Sequence, residues 1–258
     1  MSQANTFIHP DAKIGKNVTI SPFAYIDKNV EIDDDSWIGP NACLWEGSRI
    51  GKNCKIYSGA QISCVPQDLK FEGEETLTFI GDNTSIREFV TISRGTSDRN
   101  ETRIGSNCLL MAYVHIAHDC LLGDHCILSN SVQVAGHVTI GNYAVLGGTA
   151  AVRQFVRIGA HTMIAGGSLV RKDVPPFVSA AREPLAYSGV NAIGLKRRGF
   201  TIEKLNEIQE IYRTIFLSEF NTTRAVNKVT EEFPATPLRD EILDFIRNSE
   251  RGIMKGME

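Results

Sequence analysis

Every sixth residue from Ile8 to Val170 is aliphatic, with three exceptions among 28 positions. The series runs Ile8, Ile14, Ile20, Ile26, Ile32, Ile38, Leu44, Ile50, Ile56, Ile62, resumes at Ile80, Ile86 and Ile92, and continues from Ile104 to Val170. Ile, Leu and Val supply only 59 of the 258 residues, so 25 filled slots of 28 cannot be chance. A period of six fits neither an α-helix nor a simple alternating strand. It fits a coil with three flat sides, each a short strand ended by a turn, with the aliphatic side chain pointing inward. One coil takes 18 residues, and coils stack at about 4.8 Å. Glycine often follows the slot, as at Gly15, Gly39, Gly51, Gly81, Gly105, Gly123, Gly141, Gly147 and Gly159. A small or β-branched residue recurs four positions after it. The expected fold is therefore mainly β, a parallel β-helix over residues 1–190.

The three failed slots, Asp68, Glu74 and Asp98, fall in two charged stretches near 63–79 and 94–103. Loops that protrude from a regular solenoid commonly carry its function. Consecutive prolines at Val174-Pro175-Pro176 predict the end of the coil, because they cannot donate to a ladder. From about residue 200 the apolar spacing becomes three and four. Ile202, Leu205, Ile208, Ile211, Tyr212, Ile215 and Phe216 mark one amphipathic helix. Shorter helices are predicted near 222–232 and 238–249, so residues 191–258 read as a C-terminal helical domain. Lys196-Arg197-Arg198 lies between the two parts, and the plain reading of such a run is a solvated linker.

Composition excludes several classes. A net charge of −3 gives no sign of a chain built to coat a nucleic-acid backbone. No apolar run reaches the length of a membrane-spanning helix. The first residues lack the layout of a secretory signal, and six cysteines are too sparse for a disulfide scaffold. A reducing, cytoplasmic setting is expected.

Cys120, Cys126, His118 and His125 look at first like zinc ligands. However, Cys54, Cys108, Cys120 and Cys126 all occupy the small-residue slot, which makes them core filler. The histidines say more. Stacking by 18 places His118, Gly136 and Gln154 in one column, and Asp119, His137 and Phe155 in the next. His115, His118 and His137 thus fall within about one coil of each other. A neutral imidazole beside a carboxylate is a general base near physiological pH. A glycine lets a backbone N–H approach a reacting carbonyl. With no Ser or Cys nucleophile alongside, direct proton abstraction from a substrate hydroxyl or amine is expected. His125 and His161 lack such companions and read as structural. Gly147-Gly148 beneath Ala165-Gly166 leaves a shallow groove that an extended chain could occupy.

Several runs together resemble one enzyme family. They are Gln67-Asp68-Leu69-Lys70, Ile86-Arg87-Glu88 leading to Arg94-Gly95-Thr96, His115-Ile116-Ala117-His118-Asp119-Cys120 and Ala135-Gly136-His137. Gly159-Ala160-His161, Asp173-Val174-Pro175-Pro176 and Gly194-Leu195-Lys196-Arg197-Arg198-Gly199-Phe200 complete the set. The family is the acyl-[acyl-carrier-protein]–UDP-N-acetylglucosamine O-acyltransferases, which open lipid A synthesis in Gram-negative bacteria. The resemblance implies left-handed winding, a homotrimer with active sites between subunits, and no cofactor beyond the 3-hydroxyacyl thioester on acyl carrier protein. It implies His118 as general base toward the glucosamine 3-hydroxyl of UDP-N-acetylglucosamine, Asp119 as its orienting partner, and the Gly136 N–H as oxyanion donor. Gln67, Asp68, Lys70, His115, His137 and Gln154 resemble cleft residues that hold substrate. Asn191, Arg197 and Arg198 resemble nucleotide and acyl-donor contacts, which replaces the linker reading of the basic run. Gly166 matches a position that limits acyl length, and without a bulky stop there a long chain is expected. Arg153, Ser93, Ile193 and Pro184 depart from residues found in other members. Two rivals share the solenoid: an acetyl-CoA-dependent acetyltransferase, and a zinc lyase of the γ-carbonic-anhydrase type. The lyase needs two histidines five apart plus a third, and His115 and His118 are three apart. A structural solenoid without activity would need neither clustered histidines nor irregular loops.

Overall fold

A computed structural model describes residues 5–256. Short strands wind through them as a parallel β-helix with three faces. In one representative coil, His115–Ile116 lies on the first face, Leu121–Leu122 on the second and Ile127–Leu128 on the third. Each strand pairs in parallel with those one coil away, so His115 sits between Thr91 and Gln133. The hexad slot is the physical reason for the coil. From Ile20 to Val170 every aliphatic slot residue is buried, and the small-residue column from Ala24 to Thr162 fills the space between them. Ile14 is still 37% exposed, since among the described residues no coil packs beneath the first. Cys54, Cys108, Cys120 and Cys126 are all buried, and burial pushes the Cys120 thiol up to about 12 and that of Cys54 to about 11. Neither the Cys120 nor the Cys54 thiol is poised for reaction at neutral pH.

The chain turns each corner through a residue in the left-handed region. One corner column carries Asn17, Asn53, Asn83 and Asn107 at φ between 53° and 57°, a conformation asparagine tolerates well. The corner between first and second faces carries Asp119, His137 and Phe155 at φ 59°, 62° and 66°. That corner positions the site described below.

The two irregular stretches interrupt the coil without disturbing it. Thr91 pairs with Gln61, thirty residues back rather than eighteen. His115 pairs with Thr91, twenty-four back. The insertions are thus twelve and six residues long, two hexads and one, and they account for the three failed slots. The strand-free segments are 65–76 and 94–100, narrower than the charge pattern suggested, because Cys64, Leu77 and Glu101 belong to strands.

The prolines do not end the coil. Val174 still bridges to Ile158, and Val178–Ala181 pairs in parallel with Met163–Ile164. The expectation fails because the prolines stand where no ladder donor is needed. In the coils below, the residue at the position of Pro175 donates upward, as Gly141 N does to Ile158 O and Gly159 N to Val174 O. Among the described residues no full coil lies above Pro175; the C-terminal segment meets this rung at Asp173, whose N–H donates to Gly252 O, and not at the proline. Val178–Ala181 then turns back on Ala186–Val190 as an antiparallel hairpin that the hexad pattern did not announce.

Four helices follow: α1 (Ala192–Arg197), α2 (Ile202–Phe216), α3 (Thr222–Glu232) and α4 (Pro237–Arg247). α2, α3 and α4 start on Thr201, Asn221 and Thr236, whose side chains each accept an N–H of the first turn. α2 buries Leu205, Ile208, Ile211, Tyr212 and Ile215, while Ile202, at its first turn, stays exposed. The Tyr212 hydroxyl donates to Pro176 O at 2.6 Å and ties this helix to the last coil. Among the described residues no helix is long and apolar enough to cross a membrane.

Candidate active site

A cleft of about 520 Å³ opens at the corner between first and second faces. Gln67, Asp68, Leu69 and Lys70 reach it from the first inserted loop, and His115, His118, Gly136 and Gln154 line the coil side. The column of His118, Gly136 and Gln154 read from the 18-residue repeat is therefore a real wall of this cleft. Gly136 permits it. A Cβ there would stand 2.8 Å from both Cε1 and Nε2 of His118, so that edge of the imidazole packs against the bare glycine. The Gly136 N–H has no acceptor among the described residues.

Behind the cleft, Asp119 is fully buried and its Oδ2 lies 2.7 Å from His118 Nδ1. The second inserted loop closes over it. Thr96 N donates to Oδ1 at 3.0 Å, Thr96 Oγ1 to Oδ2 at 2.7 Å, and Arg99 N to Oδ1 at 3.2 Å. The Arg99 guanidinium caps the Asp119 backbone carbonyl at 2.8 Å. Burial pushes this carboxyl up, yet the donors from His118, Thr96 and Arg99 outweigh it and hold the group below the usual carboxylate range. An ionised Asp119 accepts only, so the His118 Nδ1 carries a proton, and in the neutral ring the free lone pair is then that of Nε2. That nitrogen lies 3.9 Å from Asp68 Oδ2, across the cleft.

His137 stands one coil above Asp119, its Nε2 3.9 Å from Asp119 Oδ2 and its Nδ1 3.1 Å from Asp98 Oδ2. Its ring stacks on Phe155 at 4.4 Å and meets His118 edge-on at 5.0 Å. His115 bonds Thr91 Oγ1 through Nδ1 at 2.7 Å. Burial, and after it the like charge of His118, holds His115 below its ordinary value. His118, Asp119 and His137 bring three potential metal-ligand atoms within 4.8 Å of one another. Asp119, however, already accepts two donors on each oxygen, which fills its four lone-pair sites. A metal could bind there only by displacing that set.

The remaining sequence-derived residues lie on other corners of the same chain. Gly166 packs over Gly148, where a Cβ would stand 3.1 Å from Gly148 O, at the corner between third and first faces. Asn191 caps α1, accepting from Gly194 N and donating to His161 O. Arg198 donates to Tyr143 O at 3.1 Å and lies 5.1 Å over that ring, while its Nη1 is buried without a partner among the described residues. Arg197 is exposed. Tyr143 and His161 turn the corner between second and third faces, so this group is separated from His118 within one chain.

A second cleft, of about 830 Å³, adjoins His137 and Phe155 and is lined by Arg99, Arg153, Arg157, Arg171, Lys172 and Arg251 among others. Arg153, one of the departures from the family pattern, belongs to this basic wall. Ser93, another, is buried in the first cleft beside His115. Ile193 is 70% exposed, and Pro184 lies between the strands of the hairpin. The sequence alone did not reveal Thr91 and Arg99 as partners of the histidine–carboxylate cluster. Thr96 was visible as part of a motif, but its contact with Asp119 depends on the path of the loop.

Comparisons with known proteins point to one family. Residues 173–254 match the model for domain 2 of UDP-N-acetylglucosamine O-acyltransferase, and residues 29–64 and 101–136 match the bacterial transferase hexapeptide (six repeats). The chain is 59% identical over 192 residues to an acyl-[acyl-carrier-protein]–UDP-N-acetylglucosamine O-acyltransferase of Chlorobaculum parvum, covering 74% of this chain and 73% of the relative. A homologous enzyme of Aquifex aeolicus is 56% identical over 191 residues, 74% of this chain and 73% of the relative. The crystal structure of a UDP-N-acetylglucosamine acyltransferase from Bacteroides fragilis superposes with a TM-score of 0.97 at 50% identity, covering 99% of this chain and all of that one. The Francisella novicida enzyme superposes at 0.94 with 36% identity, over 98% and 93% of the two chains.

Proposed function

Because this chain belongs to the acyl-[acyl-carrier-protein]–UDP-N-acetylglucosamine O-acyltransferase family, we propose that it transfers a 3-hydroxyacyl chain from acyl carrier protein to the glucosamine 3-hydroxyl of UDP-N-acetylglucosamine. The reaction serves lipid A biosynthesis, in the cytoplasm of a Gram-negative bacterium. The observation that carries the mechanism is the His118–Asp119 pair, with Nδ1 engaged and Nε2 facing the cleft.

His118 Nε2 takes the proton of the sugar hydroxyl as its oxygen attacks the thioester carbon. The carbonyl oxygen gains the charge, and the Gly136 N–H, without an acceptor among the described residues, is the donor assigned to it in this reading. The tetrahedral centre collapses, the C–S bond breaks, and the departing thiolate takes the proton back from Nε2. The sugar ester and the free thiol of the carrier arm are the products. A positioned base contributes about 10²–10⁴ in rate and one oxyanion donor about 10²–10³. Asp68, 3.9 Å from Nε2, and Lys70 sit where the sugar must lie. The basic cleft beside His137 suits the phosphodiester of a carrier-bound arm, since guanidinium groups bind phosphate oxygens in pairs.

Gly166, Asn191, Arg197 and Arg198 belong to the same reading only if a neighbouring copy supplies their corners. A homotrimer of triangular prisms would do so, and the exposed Phe23, Phe89 and Tyr113 on the corner between third and first faces suit burial against such a neighbour. The test is a transfer assay with UDP-N-acetylglucosamine and either a ladder of hydroxyacyl carrier proteins or acetyl-CoA, run on the parent and on His118→Ala. Transfer from the hydroxyacyl carrier, lost in the variant, supports the reading. Transfer from acetyl-CoA alone, or full activity without the imidazole, refutes it.

A further inference from the structure

The six-residue insertion ends in a clasp on the catalytic carboxylate, and we infer that Thr96 is a positioning residue whose two donors set the orientation and basicity of the His118–Asp119 pair. The inference rests on His118 acting as the base. Of the four lone-pair sites on Asp119, one serves His118 and three are filled from this single loop. Two of those three come from Thr96 alone.

The loop is itself built to hold that threonine still. Thr96 is 7% exposed. Its carbonyl accepts Asn100 N at 2.7 Å, and its hydroxyl accepts Asp98 N at 3.3 Å while donating to Asp119. The preceding Gly95 could not be another residue, since a Cβ there would stand 2.2 Å from Glu101 N. The Gly95 carbonyl accepts the buried Thr76 hydroxyl at 2.6 Å, and Gly95 N donates to Leu77 O at 3.3 Å. Thr76 closes the first inserted loop, the one that brings Asp68 and Lys70 to the cleft. A continuous set of buried hydrogen bonds therefore joins both insertions to the base.

A carboxylate with every site occupied cannot rotate away from the imidazole, and its charge is shared among four donors. Removing the Thr96 hydroxyl frees one site on Oδ2, the oxygen that faces His118. The carboxylate then holds the His118 proton more strongly and is less constrained in angle. Other charged groups facing the pair are Asp68 at 3.9 Å from His118 Nε2, His137 at 3.9 Å from Oδ2, His115 one strand away, Asp98 on His137, and Arg99 over the Asp119 carbonyl. Of these, only Asp98 touches the Thr96 side chain directly, through its own N–H on the hydroxyl at 3.3 Å.

The experiment compares parent, Thr96→Val, Thr96→Ser and His118→Ala for acyl transfer from a hydroxyacyl carrier protein across pH 5.5–9. Thr96→Val is expected to lower kcat about tenfold or more at neutral pH, with KM for the nucleotide sugar nearly unchanged. It should also move the acid limb of the kcat/KM profile to higher pH, while Thr96→Ser restores both. A mere loss of folded protein would lower activity equally at every pH and leave the limb in place. Activity within twofold of the parent in Thr96→Val, an unmoved limb, or a serine variant as impaired as the valine one would overturn the inference. Full activity in His118→Ala would instead remove the base on which it rests, so the two failures are distinguishable.

Discussion

Gly136→Ala isolates the placement of His118, the proposed base, from the presence of its side chain. A Cβ at residue 136 would stand 2.8 Å from His118 Cε1 and Nε2, whereas ordinary contact begins near 3.4 Å. The imidazole must therefore retreat by at least about 0.6 Å, and by up to about 1.2 Å for a relaxed contact. Its Nδ1 is bonded to Asp119 at 2.7 Å, so it retreats by pivoting about that bond, which swings Nε2 out of line with the sugar oxygen. A displacement of about 1 Å at a reacting group costs on the order of 10² in rate. The backbone at residue 136 has no left-handed strain to add, since only the neighbouring His137 has a positive φ. Replacing glycine at a compatible position stabilises a fold by about 0.4–1 kcal/mol through the unfolded chain. The variant is expected to stay folded, the gain through the unfolded chain offsetting part of the cost of the displaced imidazole, and to lose about a hundredfold in single-turnover acyl transfer. Unchanged turnover in a folded variant would refute the argument, because an imidazole that tolerates the extra methyl was not held at that spot for chemistry.

Two further outcomes follow from the packing. Asp173 is 1% exposed and accepts Arg157 N at 2.8 Å and Ser249 Oγ at 2.7 Å, joining the last coil to the C-terminal segment. Asp173→Ala strands both donors, and stability should fall by about 1–3 kcal/mol, read as a lower melting temperature with the helical signal lost first; an unshifted melt would contradict the assignment. His161 stacks between Tyr143 and Phe177, and burial, then the charge of Arg198, pushes it down to about 4. Its folded value lies below the ordinary one near 6.5, so its stabilising contribution is complete above that pH and is lost as pH falls toward 4. Melts of the parent and His161→Phe between pH 8 and 4 should show a shallower acid loss in the variant, and equal slopes would exclude His161 as a source.

What the sequence disclosed depended on whether the information was local or periodic. The slots from Ile20 to Val170 gave the coil because each inward side chain meets the same environment at the same interval. The column of His118, Gly136 and Gln154 could be read by counting eighteen, since no insertion falls between residues 115 and 158. Where a feature depended on chain path, the sequence was silent. The clasp of Thr96 and Arg99 on Asp119 forms only because the loop doubles back over the corner, and no spacing encodes that. Pro175 and Pro176 were misread because their meaning depends on whether a coil lies above them. The hairpin of Val178–Ala181 with Ala186–Val190 went unseen because its alternation is short and mixed with glycine and proline. α1 went unseen for a related reason: six residues are too few for a periodicity, and only the Asn191 cap marks its start.

The two prolines and the hairpin above them have a consequence beyond this one chain. A ladder of parallel rungs is open-ended by nature, since the uppermost rung could accept another identical molecule as readily as its own next turn. Here Pro175 carries no N–H where Gly141 and Gly159 donate upward, the Asp173 N–H is taken by Gly252 O of the C-terminal segment, the third face is closed by an antiparallel return, and α2 is tied to the last coil through Tyr212. The C-terminal segment therefore occupies edges on which a further rung, from this chain or from an identical one, would have to pair.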